Sequence, residues 1–491
     1  MFTNHLAAIF NHKWTLISRI ADALNSMTSP ATSSKIEVSP RSRSEAHSCQ
    51  FVVKKTILLL GLLLVVTGAL SAAMPTRPNI ILINCDDLGY GDIAPYGATD
   101  IRTPHLDRMA AEGLRLTDFS VTAPLCTPSR ASLMTGKYPG RVGLATGVLR
   151  PSATRGLAGE EITLAEVLKS RDYTTGCIGK WHLGFLPGMR PRDQGFDSYY
   201  GVLHNLDKFE TVYFDDVGGM PIHRNEDVVS RPAVPAEITG LYTAEALKFI
   251  EQHQDEPFFL YLGHAMPHIP FDASPRFKGK SARGLYGDCI EELDDSTGQI
   301  LAKLRELDLA ANTLVIFTSD NGPERRTPGT AAPLQGTKHT VFEGGLRVPF
   351  LAWWPGQIPA GKVSSDFVTA LDLLPTFAAL ADATDLPAQL DGVDRSAVLL
   401  GTSPPSAIRP ALYSRYGNGE RAQESIRQGP WKLHLLAEPQ LYDLSTDLGE
   451  ATNVAAQHTE IVTRLSTQAI AVRQATQSDL VFPKSPDPPA P

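Results

Sequence analysis

Apolar and polar positions along this chain form two textures. From Asn79 to about Asp382, continuous apolar runs alternate with stretches whose apolar residues recur every three to four positions. "NIILIN" (Asn79–Asn84) is almost wholly apolar and is soon followed by two acidic residues, the pattern of a parallel strand buried on both faces. "LRLTDFS", "YTTGCIG", "PFFLYLGH", "TLVIFTSD" and "VPFLAWW" predict further strands. "TPHLDRMAAEGL" predicts a helix with Thr103 as N-cap, Pro104 in its first turn and Gly113 at its end. Other helices are predicted around Thr163–Arg171, Ile238–His253, Ala282–Leu307 and Leu371–Asp382.

This alternation predicts an α/β fold, a large mixed, mainly parallel sheet flanked by helices. Ligands bind such sheets beyond the carboxyl ends of the strands. Asp86-Asp87, Lys180 with His182, and Asp320-Asn321 all fall there. From about Leu386 short strands take over ("ALYSRY", "ESIRQ", "WKLHLL", "QLYDL"), then a helix from Val454 to about Thr476. That part predicts a smaller C-terminal antiparallel sheet plus helix. The expected organisation is a disordered leader and signal peptide at 1–73, a main domain at 74–385, an α+β subdomain at 386–480 and a Pro-rich disordered tail at 481–491.

Composition narrows the function classes. The 491 residues are 42% hydrophobic and 20% charged, with net charge −8 and a pI near 5.9. That balance lacks the basic footprint of a nucleic-acid binder. Lys54-Lys55, an apolar run over Ile57–Leu70 and Ser71-Ala72-Ala73 have the layout of a secretory signal peptide at about 53–73. The run is shorter than the roughly 20 residues of a membrane span. The expectation is therefore export, periplasmic or secreted, with no stable membrane span after cleavage. Residues 1–52 precede this signal, which suggests a translation start near Val53. Cys49 falls before the cut, leaving Cys85, Cys126, Cys177 and Cys289, too few for a disulfide scaffold and without a CxxC pair. Cys85 and Cys177 sit on predicted strands as buried residues; Cys126 sits in a loop.

Candidate chemistry gathers at the strand ends. Asp86, Asp87, Asp320 and Asn321 form an oxygen-rich set suited to Ca²⁺ or Mg²⁺, although DD and DNG are also ordinary turn chemistry. "GKWHLG" places Lys180 and His182 on one face of an extended stretch. "HAMPHIPF" supplies His264 and His268, and "GTKHTVFEGG" supplies Lys338 and His339. A lone lysine is commonly a solvated charge and a lone histidine a core residue. Together with Arg130 they suit a tetrahedral oxyanion held between a metal and ammonium groups, with imidazoles for proton transfer. Cys126, in "LCTPSRASLMTG", precedes a helix expected to start near Pro128, at its positive end. A thiolate would be stabilised there, so a cysteine hydrolase is one reading. An oxygen nucleophile beside a hard cation is the other. Glu291–Asp295 reads as a solvated helix face, and Trp353 and Trp354 as core rather than a sugar platform.

"CTPSRASLMTG" resembles the sulfatase signature C-x-P-S-R-x-x-x-x-T-G. The resemblance runs over about Pro78 to Val454 and includes "PNIILINCDDLGYGD", "GKWHLG", "DNGPE", "FEGGLRVP" and "LYDLSTDLGEATNV". The sequence around the signature is most similar to arylsulfatase A-type members, within the alkaline phosphatase superfamily. The resemblance implies a sulfuric ester hydrolase acting on aryl or, in nature, carbohydrate sulfates. It implies that a formylglycine-generating maturation enzyme converts Cys126 to Cα-formylglycine, whose hydrate is the nucleophile. It further implies Ca²⁺, with Mg²⁺ as the alternative, on Asp86, Asp87, Asp320, Asn321 and the modified Cys126. Arg130 would support the diol, Lys180 would bridge it and the sulfate, and His182 would remove a proton. His268 and Lys338 would face the leaving oxygen and the sulfate. Asn205 aligns loosely with a small polar site residue, and His264 and His339 have no secure counterpart. Two other readings stand beside this one: a phosphate or phosphonate ester hydrolase on the same fold, and a non-catalytic binder of sulfated glycans, which needs an unmodified Cys126.

Overall fold

The computed structural model describes residues 77–206, 218–402 and 409–476. The expected leader and signal segment at 1–73, the expected start near Val53, Cys49 and the tail at 481–491 lie outside them. Sixteen strands are placed among the described residues: β1 (Asn79–Cys85), β2 (Leu114–Leu116), β3 (Phe119–Ser120), β4 (Thr174–Gly179), β5 (Ser198–Gly201), β6 (Ile222–Arg224), β7 (Asp227–Ser230), β8 (Phe258–Gly263), β9 (Thr313–Ser319), β10 (Phe350–Trp353), β11 (Lys362–Ser364), β12 (Val368–Thr369), β13 (Leu412–Tyr416), β14 (Gln423–Gln428), β15 (Trp431–His434) and β16 (Gln440–Asp443). Ten form one sheet in the order β11-β2-β10-β9-β1-β8-β4-β5-β6-β7. Its centre, β9-β1-β8-β4-β5, is parallel throughout, while β10, β6 and β7 join antiparallel. The expected mixed, mainly parallel sheet is present.

Helices cover both faces: α1 (Pro104–Glu112), α2 (Cys126–Thr135), α3 (Leu164–Lys169), α4 (Pro235–Gln252), α5 (Gly284–Glu306) and α6 (Leu373–Leu380). The period-two geometry of β1 divides its apolar run between the two layers. Ile80 and Leu82 join the cluster containing α2, α3 and α6 residues, whereas Ile81 and Ile83 join the one containing α1, α4 and α5 residues. Both layers are needed because every β1 side chain is buried. Cys85, Cys177, Trp353 and Trp354 are core residues, each fully buried.

The strand predicted over "LRLTDFS" is split, with β2 in the large sheet and β3 paired to β12. Thr103 occupies the N-cap position of α1, yet its hydroxyl accepts from the Ala94 N–H instead. Asp294 of α5 does the capping, accepting the N–H groups of His105 and Leu106 at 3.2 and 2.8 Å. This corrects the solvated-face reading of Glu291–Asp295. Glu291, Glu292 and Asp294 are buried because each carboxylate is consumed, by Arg102, by the Ser274 N–H and by α1 respectively.

Strands β13 to β16 form a separate four-stranded antiparallel sheet, with α7 (Thr459–Ala475) packed on it through Leu465 and Ala469. Among the described residues no helix is long and apolar enough to cross a membrane.

Candidate active site

The carboxyl edge of the parallel block collects the charged residues. Asp86-Asp87 follow β1, Asp320-Asn321 follow β9, Lys180 and His182 follow β4, and His268 lies in the loop after β8. The strands end level: Cys85 pairs with Ser319, Asn84 with Gly263, and Gly263 with Gly179. Only glycine suits position 179, where φ is +105° and a β-carbon would sit 1.9 Å from the Gly263 carbonyl oxygen.

Cys126 opens α2, every residue of which is buried. Its Sγ lies 3.4 Å from Asp86 Oδ1 and 3.6 Å from Lys338 Nζ. Lys180 Nζ donates to Asp86 Oδ2 at 2.6 Å, and Lys338 Nζ reaches the two Asp87 oxygens at 2.7 and 2.8 Å. Arg130, one turn into α2, donates Nε to Asp320 Oδ2 at 2.8 Å. Its Nη1 donates to the Lys180 carbonyl and the Tyr261 hydroxyl, both at 3.0 Å. Three carboxylates thus face three cations, which is what makes complete burial of so much charge tolerable.

Burial by itself raises the Asp86 and Asp87 carboxyls, but the surrounding positive groups together, led by Lys180 for the first and Lys338 for the second, outweigh it and hold both below the usual range. At Asp320 burial outweighs Arg130, and the carboxyl is pushed up to about 6. Burial, then Asp320, pushes the Cys126 thiol well up, so a plain thiolate is disfavoured here. Burial, then Lys180, drives His182 far below its ordinary value.

The donor set fits a hard divalent cation. Asp86, Asp87, Cys126 and His268 each offer one ligand atom, and these lie within 4.8 Å of one another. Asn321 donates Nδ2 to Asp87 Oδ1 at 2.7 Å, which leaves its buried Oδ1 without a hydrogen-bond partner. The compact group contains His268 rather than Asp320, which joins it through the Asp87 N–H at 3.2 Å. A cleft of about 330 Å³ adjoins, lined by Cys126, His268 and Lys338 together with Asn205, Glu324, His339 and the Tyr416–Asn418 turn after β13.

All ten sequence-predicted site residues border this cluster or brace it, with one geometric correction. Lys180 and His182 do not share a face, because His182 adopts φ +64° and turns the chain. Lys180 goes to Asp86, and His182 Nε2 goes to the Leu149 carbonyl at 3.0 Å. His264 is elsewhere, with Nε2 3.4 Å from Ser296 Oγ of α5 and its ring 6.4 Å from Tyr242 of α4. Burial alone pushes it down to about 3, the state of a packed core histidine. His339 lies on the cleft wall, 5.4 Å from the Tyr416 ring. Sequence reasoning missed Tyr261, His204, Glu324 and the Tyr416–Asn418 turn. Glu324 had a signal, two residues beyond Gly322 in "DNGPE"; the others had none.

The sulfatase family model matches residues 78–383, and a model of the C-terminal part of N-sulphoglucosamine sulphohydrolase matches 337–475. The chain is 40% identical to arylsulfatase A of Bos taurus over 80% of its own length and 86% of that protein. It is 38% identical to N-acetylgalactosamine-6-sulfatase of Rattus norvegicus, over 79% and 77% of the two chains. The crystal structure of Ps i-CgsB in complex with k-i-k-neocarrahexaose superposes with a TM-score of 0.74 at 32% identity, covering 82% of this chain and 94% of that one.

Proposed function

The chain belongs to the sulfatase family and is a sulfuric ester hydrolase, and from that premise we propose that it removes sulfate from glycans with a formylglycine made from Cys126 and a divalent cation. The observation that carries this reading is the setting of Cys126: first residue of α2, fully buried, between Asp86 and Lys338 beside the cleft. Named relatives that act on, or are bound to, sugars support the substrate class. Asp86, Asp87, Asp320 and Asn321, with residue 126, would hold the cation, Ca²⁺ or Mg²⁺, which when bound supplies positive charge beside the attacking oxygen and the sulfate. A hydrated aldehyde at position 126 would supply two hydroxyls, one as the nucleophile toward sulfur and one whose deprotonation would let sulfate leave, an exit that a serine ester would lack.

The chain's own residues do the remainder. Lys180 and Lys338 hold the sulfate oxygens in place, Arg130 fixes Asp320 and the start of α2, and His268 Nε2 gives a proton to the leaving oxygen. His182 Nδ1, buried and without a partner, takes the proton from residue 126. Export through the signal at about 53–73 would bring the enzyme to extracellular or periplasmic sulfated glycans, after maturation by a formylglycine-generating enzyme.

Mass spectrometry of the tryptic peptide Leu116–Arg130, from protein co-produced with that maturation enzyme, tests the reading. The aldehyde at position 126 is expected, with turnover of an aryl sulfate exceeding that of the matching aryl phosphate. Full activity in protein that carries only intact cysteine would overturn it.

A further inference from the structure

Two buried imidazoles share one acceptor. His182 and His204 are both fully buried, and their Nε2 atoms lie 3.0 and 2.8 Å from the carbonyl oxygen of Leu149. A carbonyl oxygen only accepts and has two lone pairs, so both rings carry their proton on Nε2. The rings stand edge to face, with centroids 4.6 Å apart. The Leu149 peptide is fixed at its other end as well. Its N–H donates to Thr127 Oγ1 at 3.2 Å, and that hydroxyl donates to the His182 carbonyl at 3.0 Å. Thr127 directly follows Cys126, so one closed set of hydrogen bonds ties the start of α2 to both histidines.

We propose that His204 is a positioning residue for the hydrolytic reaction: by taking the second lone pair of the Leu149 carbonyl, it holds that acceptor in line with His182 and keeps His182 Nδ1 unprotonated, the state in which it can take a proton from residue 126. The opposite tautomer of His182 would set a nitrogen lone pair against a carbonyl lone pair at 3.0 Å inside the protein, an arrangement that forfeits a buried hydrogen bond. Without His204 the carbonyl keeps an unused lone pair and is free to tilt, which loosens the one contact that selects the tautomer. Partners of this kind, which fix the ring of an acting histidine, commonly matter about tenfold or more. The inference rests on the sulfatase reading only in its kinetic consequence.

His204→Phe keeps an aromatic ring and removes the donor; His204→Gln returns an N–H near the position of Nε2. The phenylalanine variant is expected to lose about tenfold in kcat with KM within about twofold, and the glutamine variant to recover most of the loss. Nitrogen NMR of the labelled imidazoles is expected to show Nε2–H on both rings in the native protein and mixed tautomers of His182 in the phenylalanine variant. Native kcat in the phenylalanine variant, a glutamine variant as slow as it, or a proton on Nδ1 of either native ring would overturn the proposal. If the phenylalanine variant does not fold, the glutamine variant decides: near-native kcat with an unchanged His182 tautomer supports the role, and a tenfold loss with that tautomer overturns it. A native protein without sulfatase activity but with both protons on Nε2 would instead overturn the sulfatase reading, since the spectra need no turnover.

Discussion

Two buried ionic clusters of like composition serve different ends in this molecule. At the carboxyl edge of the large sheet, Asp86, Asp87 and Asp320 face Arg130, Lys180 and Lys338. Against the four-stranded sheet, Asp118, Glu343 and Glu450 face Arg347, Arg427 and Lys432, with His434 donating to Glu450 at 2.7 Å. In this second cluster Lys432 Nζ spans Glu343 at 2.9 Å and Glu450 at 3.2 Å, and the Glu343 N–H donates to Glu450 at 2.6 Å. None of these side chains has a buried polar atom without a partner, and none lines the cleft. The first cluster leaves Asn321 Oδ1, Arg130 Nη2 and His182 Nδ1 without hydrogen bonds. Buried charge therefore does not distinguish a site from a brace; the first cluster differs in keeping unspent bonding capacity and in reaching the cleft through Lys338.

The sharpest way to break this comparison is Cys126→Ala. It is expected to lower kcat by at least about a thousandfold while shifting unfolding by no more than about 1 kcal/mol. Activity assays beside denaturant titration check both halves, and retained activity would remove the first cluster from the chemistry. Glu343→Ala should do the reverse. Breaking a satisfied buried network is expected to destabilise by about 3–5 kcal/mol, with kcat of the folded fraction near the native value.

Acid should separate one carboxyl of each cluster, Asp320 and Glu343, by sign. In cation-free protein the Asp320 carboxyl, pushed from 3.8 up to about 6, binds its proton more tightly folded than unfolded. Its contribution to stability is complete below about pH 4 and is lost as pH rises through about 6. Glu343 is held below its ordinary 4.5, because the surrounding cations, led by Lys432 and then Arg427 and Arg347, together outweigh burial. Its contribution is present above that value and is lost as pH falls through the lower folded one. Unfolding titrations of Asp320→Asn and Glu343→Gln against the native chain should show differences of opposite slope, and parallel slopes would refute the contrast. The smallest effect is expected from Tyr416→Ala on the cleft wall. KM for a sulfated oligosaccharide should rise about threefold with kcat unchanged, and a small aryl sulfate should not respond.

Much of this was legible along the chain. The apolar runs of β1, β8 and β9 need both faces covered, so they announce a parallel sheet, and Asp86-Asp87 after β1 and Asp320-Asn321 after β9 mark its carboxyl edge. The signature around Cys126 is local, and so survives in linear order. Other features were hidden because they depend on what a residue meets. Glu291, Glu292 and Asp294 carry the charge of a solvated face and are buried only because Arg102, the Ser274 N–H and the start of α1 use their oxygens. His264, two residues before the Met266-Pro267 pair, is as conspicuous in sequence as His268, yet it packs against α4 and α5.

Linear order was enough for the central strands, the signature around Cys126 and the inventory of cations and carboxylates, since these follow from periodicity and short spacing. Folding alone assigned partners: Lys180 to Asp86, Arg130 to Asp320, and two histidines to one carbonyl. It also brought Tyr416 to Asn418, some 290 residues from Cys126, to the same cleft. Hydrogen bonds and ion pairs act over a few ångströms of space, and the distance between their partners along the chain does not restrict which of them meet.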